Sequence, residues 1–183
     1  MTAPKEPLRM EINRIKRLTV VRHGRATEAG NAEDDQARTL VKKGAKDLRR
    51  LTRVLQRLDP PVDLLVTSPA VRAVQSAEVL ADCIGYEGRL LVEDEIYGAT
   101  PATLLHVVSN LPESAEHVML VGHNPGMEGL ISGLCAGSSL RLNMHLSTGG
   151  LAHMELEIYW WQQVRWGCGE LQMFVNPKRM PKG

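Results

Sequence analysis

The sequence predicts an α/β fold in three layers, a mostly parallel sheet with helices on both faces and an antiparallel hairpin at the C-terminal end. Three observations predict it. Short β-branched apolar runs alternate with stretches of helical periodicity along most of the chain. Several of these runs stop at loops bearing His, Arg and Gly rather than at tight hairpin turns, as crossover connections require. The last stretch changes character, to two strand runs joined by a Gly-rich segment.

Residues 1–16 carry Lys5, Arg9, Arg14 and Lys16 against Glu6 and Glu11, without the apolar centre of a signal peptide, and read as a basic arm. Residues 17–183 read as a single domain, since no repeat, low-complexity tract or long linker interrupts them. Residues 18–21, Leu-Thr-Val-Val, form a buried strand run that closes on Arg22, His23 and Gly24. Between 40 and 58, Leu48, Leu51, Leu55 and Leu58 fall three and four apart and make one helical stripe, with Lys and Arg opposite; Pro60-Pro61 ends it. Residues 63–66 are a second strand run, and 69–83 a helix with Pro69 near its first turn. A short strand at 90–92 precedes a helix over 101–110. Residues 117–121 are a strand that stops at Gly122-His123, followed by a short helix through 134. The runs 151–161 and 170–175 make the hairpin, and the tail 177–183, with Lys178, Arg179 and Lys182, reads as a solvated end.

Composition excludes several functions. Lys and Arg number 22 against 21 Asp and Glu, a formal charge of +1, so the strongly basic excess of a nucleic-acid coat is missing. Aromatic residues are 4% of the chain, with a single Phe, too few for base-stacking platforms. No segment approaches the roughly 20 apolar residues of a membrane span. Cys83, Cys135 and Cys168 are odd in number and contain no Cys-x-x-Cys pair, which fits small buried residues in a reducing cytoplasm. No Gly-x-x-x-x-Gly-Lys-Ser/Thr phosphate loop occurs. His106, His117, His145 and His153 show no metal-ligand spacing and read as surface or capping residues, so neither metal nor other cofactor is called for. Trp160, Trp161 and Trp166 read as packing of the core and hairpin rather than a contact surface.

The chemistry gathers at three strand ends: Val21-Arg22-His23-Gly24, Val66-Thr67-Ser68-Pro69 followed by Arg72, and Val121-Gly122-His123-Asn124-Pro125-Gly126. In an open parallel sheet ligands bind beyond the carboxyl ends of the strands, so these loops converge on one crevice. Two imidazoles and several guanidiniums there suit a phosphoryl group. Arg holds phosphate oxygens with paired hydrogen bonds and keeps its charge. A neutral imidazole nitrogen attacks phosphorus, which splits one hard displacement into two easier ones.

Together, Arg22-His23-Gly24, Arg38-x-Leu40 with Gly44, Ser68-Pro69-x-x-Arg72-Ala73-x-Gln75-x-Ala77-Glu78 and Gly122-His123-Asn124-Pro125-Gly126 resemble the histidine phosphatase superfamily, the phosphoglycerate mutase-like fold. Within it the chain resembles the short bacterial branch of SixA-type phosphohistidine phosphatases, from about residue 17 to 180. The resemblance implies that His23 is the nucleophile that becomes phosphorylated. It implies that Arg22, Arg72 and His123 contact the phosphoryl oxygens, that Arg38 adds a basic contact, and that Asp35 occupies a recurrent acidic position. Glu95 matches the acidic residue of the short branch best, and the acid is Glu95, Asp35 or neither. Arg25 adds a cation where relatives often carry a small or acidic residue, on the rim or in solvent. Val41 stands where the family usually has Ser or Thr, so the hydroxyl cap of the first helix is expected to be missing.

The short spacing between blocks leaves no room for the insertions that cover the site in mutases and sugar phosphatases. A shallow, uncovered pocket suits a phosphohistidine on a signalling protein. Loss of imidazole from a P–N bond needs less acid assistance than loss of an alkoxide. The competing expectations are a phosphatase for small phosphomonoesters and, in a different class, a module that binds phosphate without turning it over.

Overall fold

Leu18, Thr19, Val20 and Val21 are all buried in succession, which a strand covered on both faces requires and which their apolar and β-branched side chains allow. They belong to β1 (Lys16–Arg22) in the computed structural model, which describes residues 15–28 and 35–180. The other strands are β2 (Leu64–Thr67), β3 (Leu91–Val92), β4 (His117–Gly122), β5 (Leu151–Leu156) and β6 (Gly169–Val175). Among the described residues they form one sheet in the order β3-β2-β4-β1-β5-β6. β1, β2, β3 and β4 pair in parallel, whereas β5 runs antiparallel to β1 and β6 antiparallel to β5. The expected mixed sheet with its C-terminal antiparallel pair is therefore present.

Helices cover both faces. α1 (Lys42–Arg49), α2 (Thr52–Leu55) and α3 (Val71–Ile84) pack Leu48, Leu51, Leu55, Ala73 and Leu80 onto Val21, Leu65 and Met119. On the other face, α4 (Pro101–Ser109) and α5 (Gly126–Ala136) pack Leu104, Val108 and Leu130 onto Leu18, Val20 and Leu120. The alternation of β1 side chains between these cores follows from the two-residue period of a strand.

Several elements differ from the sequence reading. The stripe over 40–58 is two helices, because the Leu51 N–H bonds to Leu48 O, a tight three-residue turn that needs neither Gly nor Pro. The stripe still works, since Leu48, Leu51 and Leu55 are all buried. α3 begins at Val71, so Pro69 precedes it, and it ends on Gly85 at φ +69, in the left-handed region glycine enters at little cost. β5 stops at Leu156 rather than reaching Trp161, and residues 157–168 leave the sheet through a 3-10 turn over Trp161–Gln163. Trp161 is buried, Trp160 is exposed, and Trp166 packs against Gly133.

Lys16, placed in the basic arm from sequence, is instead a buried strand residue. Its ammonium donates to Glu113 O and Ala115 O at 2.8 Å each and lies 3.7 Å from the Glu113 carboxylate. Residues 1–14 of that arm, and 181–183 of the tail, lie outside the described residues. Cys83 and Cys168 are buried as expected, while Cys135 is half-buried. No helix among the described residues is long and apolar enough to cross a membrane.

His106 and His145 are exposed, but His117 and His153 are not surface residues. Both flank Thr19, whose hydroxyl lies 2.8 Å from His117 Nε2 and 2.9 Å from His153 Nδ1. His117 Nδ1 lies 2.8 Å from Pro60 O and so carries the proton, because a carbonyl only accepts. The Thr19 hydroxyl then donates to His117 Nε2 and accepts from His153 Nδ1–H. Burial lowers the pKa of each ring to about 4 and keeps it neutral. The pairing positions explain the meeting: Thr19 is opposite His153 across β1 and β5.

Candidate active site

β1, β2 and β4 run parallel, so the loops that follow them share one edge of the sheet. His23 leaves β1 with its N–H bonded to Gly122 O at 3.0 Å, which fastens it to the end of β4. Its Nδ1 lies 2.7 Å from Gly24 O, so that nitrogen carries the proton and Nε2 presents a lone pair. Gly24 is held in turn, its N–H donating to Ser76 Oγ at 2.9 Å while that hydroxyl donates to Arg72 O at 2.5 Å. Burial lowers the His23 pKa to about 4, against the Gly24 hydrogen bond, and the nearby Arg72 and Arg22 charges push the same way. The ring is therefore neutral and nucleophilic at neutral pH.

Arg72 sits in the first turn of α3 and is the hub. Its Nε points at His23 Nε2 at 3.4 Å, and its Nη2 reaches His123 Nδ1 at 3.4 Å and Asp35 Oδ2 at 2.8 Å. Nη1 donates to Asp35 O. Because Arg only donates, His123 Nδ1 is the acceptor, and His123 Nε2–H donates to Ser68 Oγ at 2.7 Å. The His23 and His123 rings lie 5.0 Å apart, and burial first, then the His23 and Arg72 charges, lower the His123 pKa to about 3.

Arg22 is half-desolvated, which lowers its pKa, and Glu128 offsets part of that effect. Its Nη1 donates to Leu146 O at 3.0 Å, while its buried Nε has no partner. Glu128, in the first turn of α5, organises this side: its Oε1 accepts from Asn124 Nδ2 at 2.7 Å and from Leu146 N–H at 2.8 Å.

Asp35 and Arg38 join the cluster, as the sequence suggests, although residues 29–34 before them lie outside the described residues. The Asp35 carboxylate accepts from Arg38 Nη1 at 2.9 Å and from the Tyr97 hydroxyl at 2.8 Å, besides Arg72. Arg38, then Tyr97, hold its carboxyl well below the usual carboxylate range despite partial burial. The Tyr97 hydroxyl is pushed up by the same contact. Tyr97 was not singled out from sequence, yet the loop after β3 also ends at this edge, and that topology was the available signal. Ser68 and Ser76 lie within the block 68–78 without being marked as contacts.

Glu95 is not brought there. The 3-10 turn Asp94–Ile96 buries Ile96 and leaves Glu95 exposed in a separate groove with His106 and Asn110. Arg25 is also exposed and lines a groove beside α1. Val41 caps α1 without a side-chain hydrogen bond, as its missing hydroxyl implies. His23 and Arg72 are 9% and 5% exposed, so the described residues form a tighter site than the shallow pocket expected. Against His123 opens a cavity of about 660 Å³ lined by Pro101, Pro125, Leu140, Leu142 and Met144 among others. Among the described residues no group of three or more His, Cys, Asp or Glu is placed to hold a metal ion.

Comparison with known proteins bears on the family pattern and the fold. The sequence pattern of the histidine phosphatase superfamily (branch 1) matches residues 18–95. An uncharacterized protein of Mycobacterium tuberculosis is 27% identical over 150 residues, covering 79% of this chain and 92% of that protein. The crystal structure of an Agrobacterium tumefaciens protein, provisionally assigned as the phosphohistidine phosphatase SixA, superposes with a TM-score of 0.72. It is 26% identical, and 89% of this chain covers 99% of that one. The α-ribazole phosphatase of Shigella flexneri shares the fold, with a TM-score of 0.65, 13% identity, and coverage of 92% of this chain and 100% of that one.

Proposed function

We propose that the chain, whose residues 18–95 match the histidine phosphatase superfamily (branch 1), is a member of that superfamily and dephosphorylates phosphohistidine on a signalling protein through a phosphorylated His23. The observation that carries the reading is the state of His23: a buried neutral ring with Nδ1–H tied to Gly24 O and the Nε2 lone pair facing Arg72. Arg22 and Arg72 receive the phosphoryl oxygens, His123 flanks them, and Arg38 acts through Asp35.

Attack by Nε2 on phosphorus forms the new N–P bond as the old N–P bond breaks. When the substrate ring carries its second proton, a neutral imidazole departs and His23 becomes the cationic phosphoimidazole, so charge and protons balance without an acid. Water then bonds to phosphorus, the bond to His23 breaks, and dihydrogen phosphate leaves as His23 regains its lone pair. No metal is called for in either step. The carboxylates fit this economy of acid: Asp35 is held ionised by its three donors, and Glu95 lies in another groove. Asp35 is then a positioning residue for Arg72.

A second reading has its own support. The apolar cavity against His123 has the size to hold the organic part of a small phosphate ester. The fold is shared with the α-ribazole phosphatase. Rates on free phosphohistidine, a phosphohistidine protein and a panel of small phosphate esters separate the two, and a clear preference for one ester overturns the first. Brief exposure to a labelled phosphohistidine protein is expected to leave an acid-labile phosphate on the wild type and none on His23→Ala. A wild type that neither takes label nor releases phosphate is a binding module instead.

A further inference from the structure

The surface beside the candidate site is basic. A groove of about 790 Å³ is lined by Arg25, Lys42, Lys43, Lys46, Arg50 and Lys178, with Asp47 as its one carboxylate. The whole chain carries only +1, so this is a local concentration of charge rather than a diluted excess. Asp47 is engaged by Arg50 at 3.9 Å. Among the described residues no ion pair takes up Arg25, Lys42, Lys43, Lys46 or Lys178.

Two of the cations do not serve the helix that carries them, although Lys46, in its last turn, does. Lys42 and Lys43 lie in the first turn of α1, which has no acidic residue and no side-chain cap. Positive charge at that end opposes the helix dipole, where Asp or Glu contributes about 0.3–1 kcal/mol. Their role is therefore outward. The groove also lies on the right edge of the sheet. Val21, Leu151 and Val175 form one row across β1, β5 and β6, so Arg25 and Lys178 leave the sheet at the end from which His23 emerges. The Val41 N–H bonds to Arg25 O at 3.0 Å, and Gly44 packs on the Arg25 backbone where a side chain would collide. The start of α1 is thus fixed against the loop that follows His23.

The chemistry selects the occupant. One phosphoryl group already has Arg22 and Arg72, and a row of cations this long matches several carboxylates. No aromatic side chain lines the groove, which disfavours single-stranded nucleic acid. We propose that this groove docks an acidic face of the protein whose phosphohistidine enters the His23 site, an inference that rests on the function proposed above. Docking there steers the partner and sets its orientation, and it leaves the chemistry on small substrates unchanged.

The test compares wild type with K42E/K46E and, as a second variant, K178E. The substrates are free phosphohistidine and a phosphohistidine-bearing phosphotransfer domain of net negative charge. At about 0.05 M salt the double variant is expected to lose about tenfold or more in kcat/KM on the domain, through KM, with K178E moving in the same direction. The gap is expected to narrow at about 0.5 M salt. Hydrolysis of free phosphohistidine is expected to be unchanged, which also shows that the variants fold. An unchanged kcat/KM on the domain, or an equal loss on both substrates, overturns the proposal. If wild type cleaves neither substrate, the phosphohistidine reading fails by itself. Fluorescence anisotropy with the unphosphorylated domain then decides the groove: loss of binding in K42E/K46E supports it, and retained binding overturns it. Tighter binding of a thymidine oligonucleotide than of the acidic domain overturns the choice of partner.

Discussion

Arg72 Nε lies 3.4 Å from Nε2 of His23, so one guanidinium faces the nucleophilic lone pair while its other nitrogens hold Asp35 and reach His123. The group proposed to receive the phosphoryl oxygens thus also lies within reach of both imidazoles. A lysine keeps the charge and loses the fork. Arg72→Lys is expected to lower kcat/KM by about a hundredfold or more, with near-normal thermal stability as the control. Activity within a few-fold of wild type removes Arg72 from the centre of the site.

The depressed pKa of His23 makes a directional statement about pH. Because burial lowers it to about 4, the ring stays neutral as the pH falls from 7 to 5 and takes a proton only below that. Nitrogen-15 NMR of the imidazole is expected to show a midpoint near pH 4. A midpoint near the ordinary value of about 6.5 contradicts the burial account.

Asp35 is expected to act by position. Asp35→Asn weakens the hold on Arg72 and Arg38, and a misplaced clamp costs about tenfold to a hundredfold in kcat. Tyr97→Phe removes one of the three donors and is expected to have a smaller effect in the same direction. The discriminating readout is a series of aryl phosphates of rising leaving-group pKa. A positioning role predicts the same loss along the series, whereas a loss that grows for poor leaving groups makes Asp35 the acid.

Glu95→Gln is expected to leave kcat/KM within about twofold of wild type, as surface substitutions away from a site do. Glu95 lines, with His106 and Asn110, a groove that His23 does not line. A loss of a hundredfold in that variant restores it as the acid.

Stability carries its own pH dependence. His23, His117, His123 and His153 are all held neutral by burial, with pKa values lowered to between about 3 and about 4. Below about pH 6.5 the unfolded chain binds protons that the folded chain refuses, so stability is full above that value and falls as the pH drops toward 4, at about 1.4 kcal/mol per group per pH unit. Urea unfolding at pH 7 and pH 5 reads the difference, and equal midpoints contradict it. Thr19→Val, which leaves two buried imidazole nitrogens without partners, is expected to cost about 2 to 4 kcal/mol at pH 7.

Much of this was legible in the chain, and the reasons differ by residue. The strand runs, the crossover order and the loops carrying Arg22, His23, Arg72 and His123 follow from local patterning and from where parallel strands end. Asp35 and Arg38 come from the family pattern, and their meeting with Arg72 is a matter of three-dimensional closure. Tyr97 and Glu95 are two residues apart, and only the short 3-10 turn decides that one faces the site and the other turns away. The buried pair His117 and His153 escaped because polar side chains in strands normally read as surface. Their shared partner Thr19 lies on a third strand, so no local window contains the three.

β1 is made first and lies between β4 and β5, which are made late. Arg22 N–H bonds to Gly150 O, its guanidinium to Leu146 O, and Ser147 N–H to Asn176 Oδ1. Arg22 is thus held by groups 124 or more residues further along the chain, so that side of the site is complete only once β5 has packed beside β1.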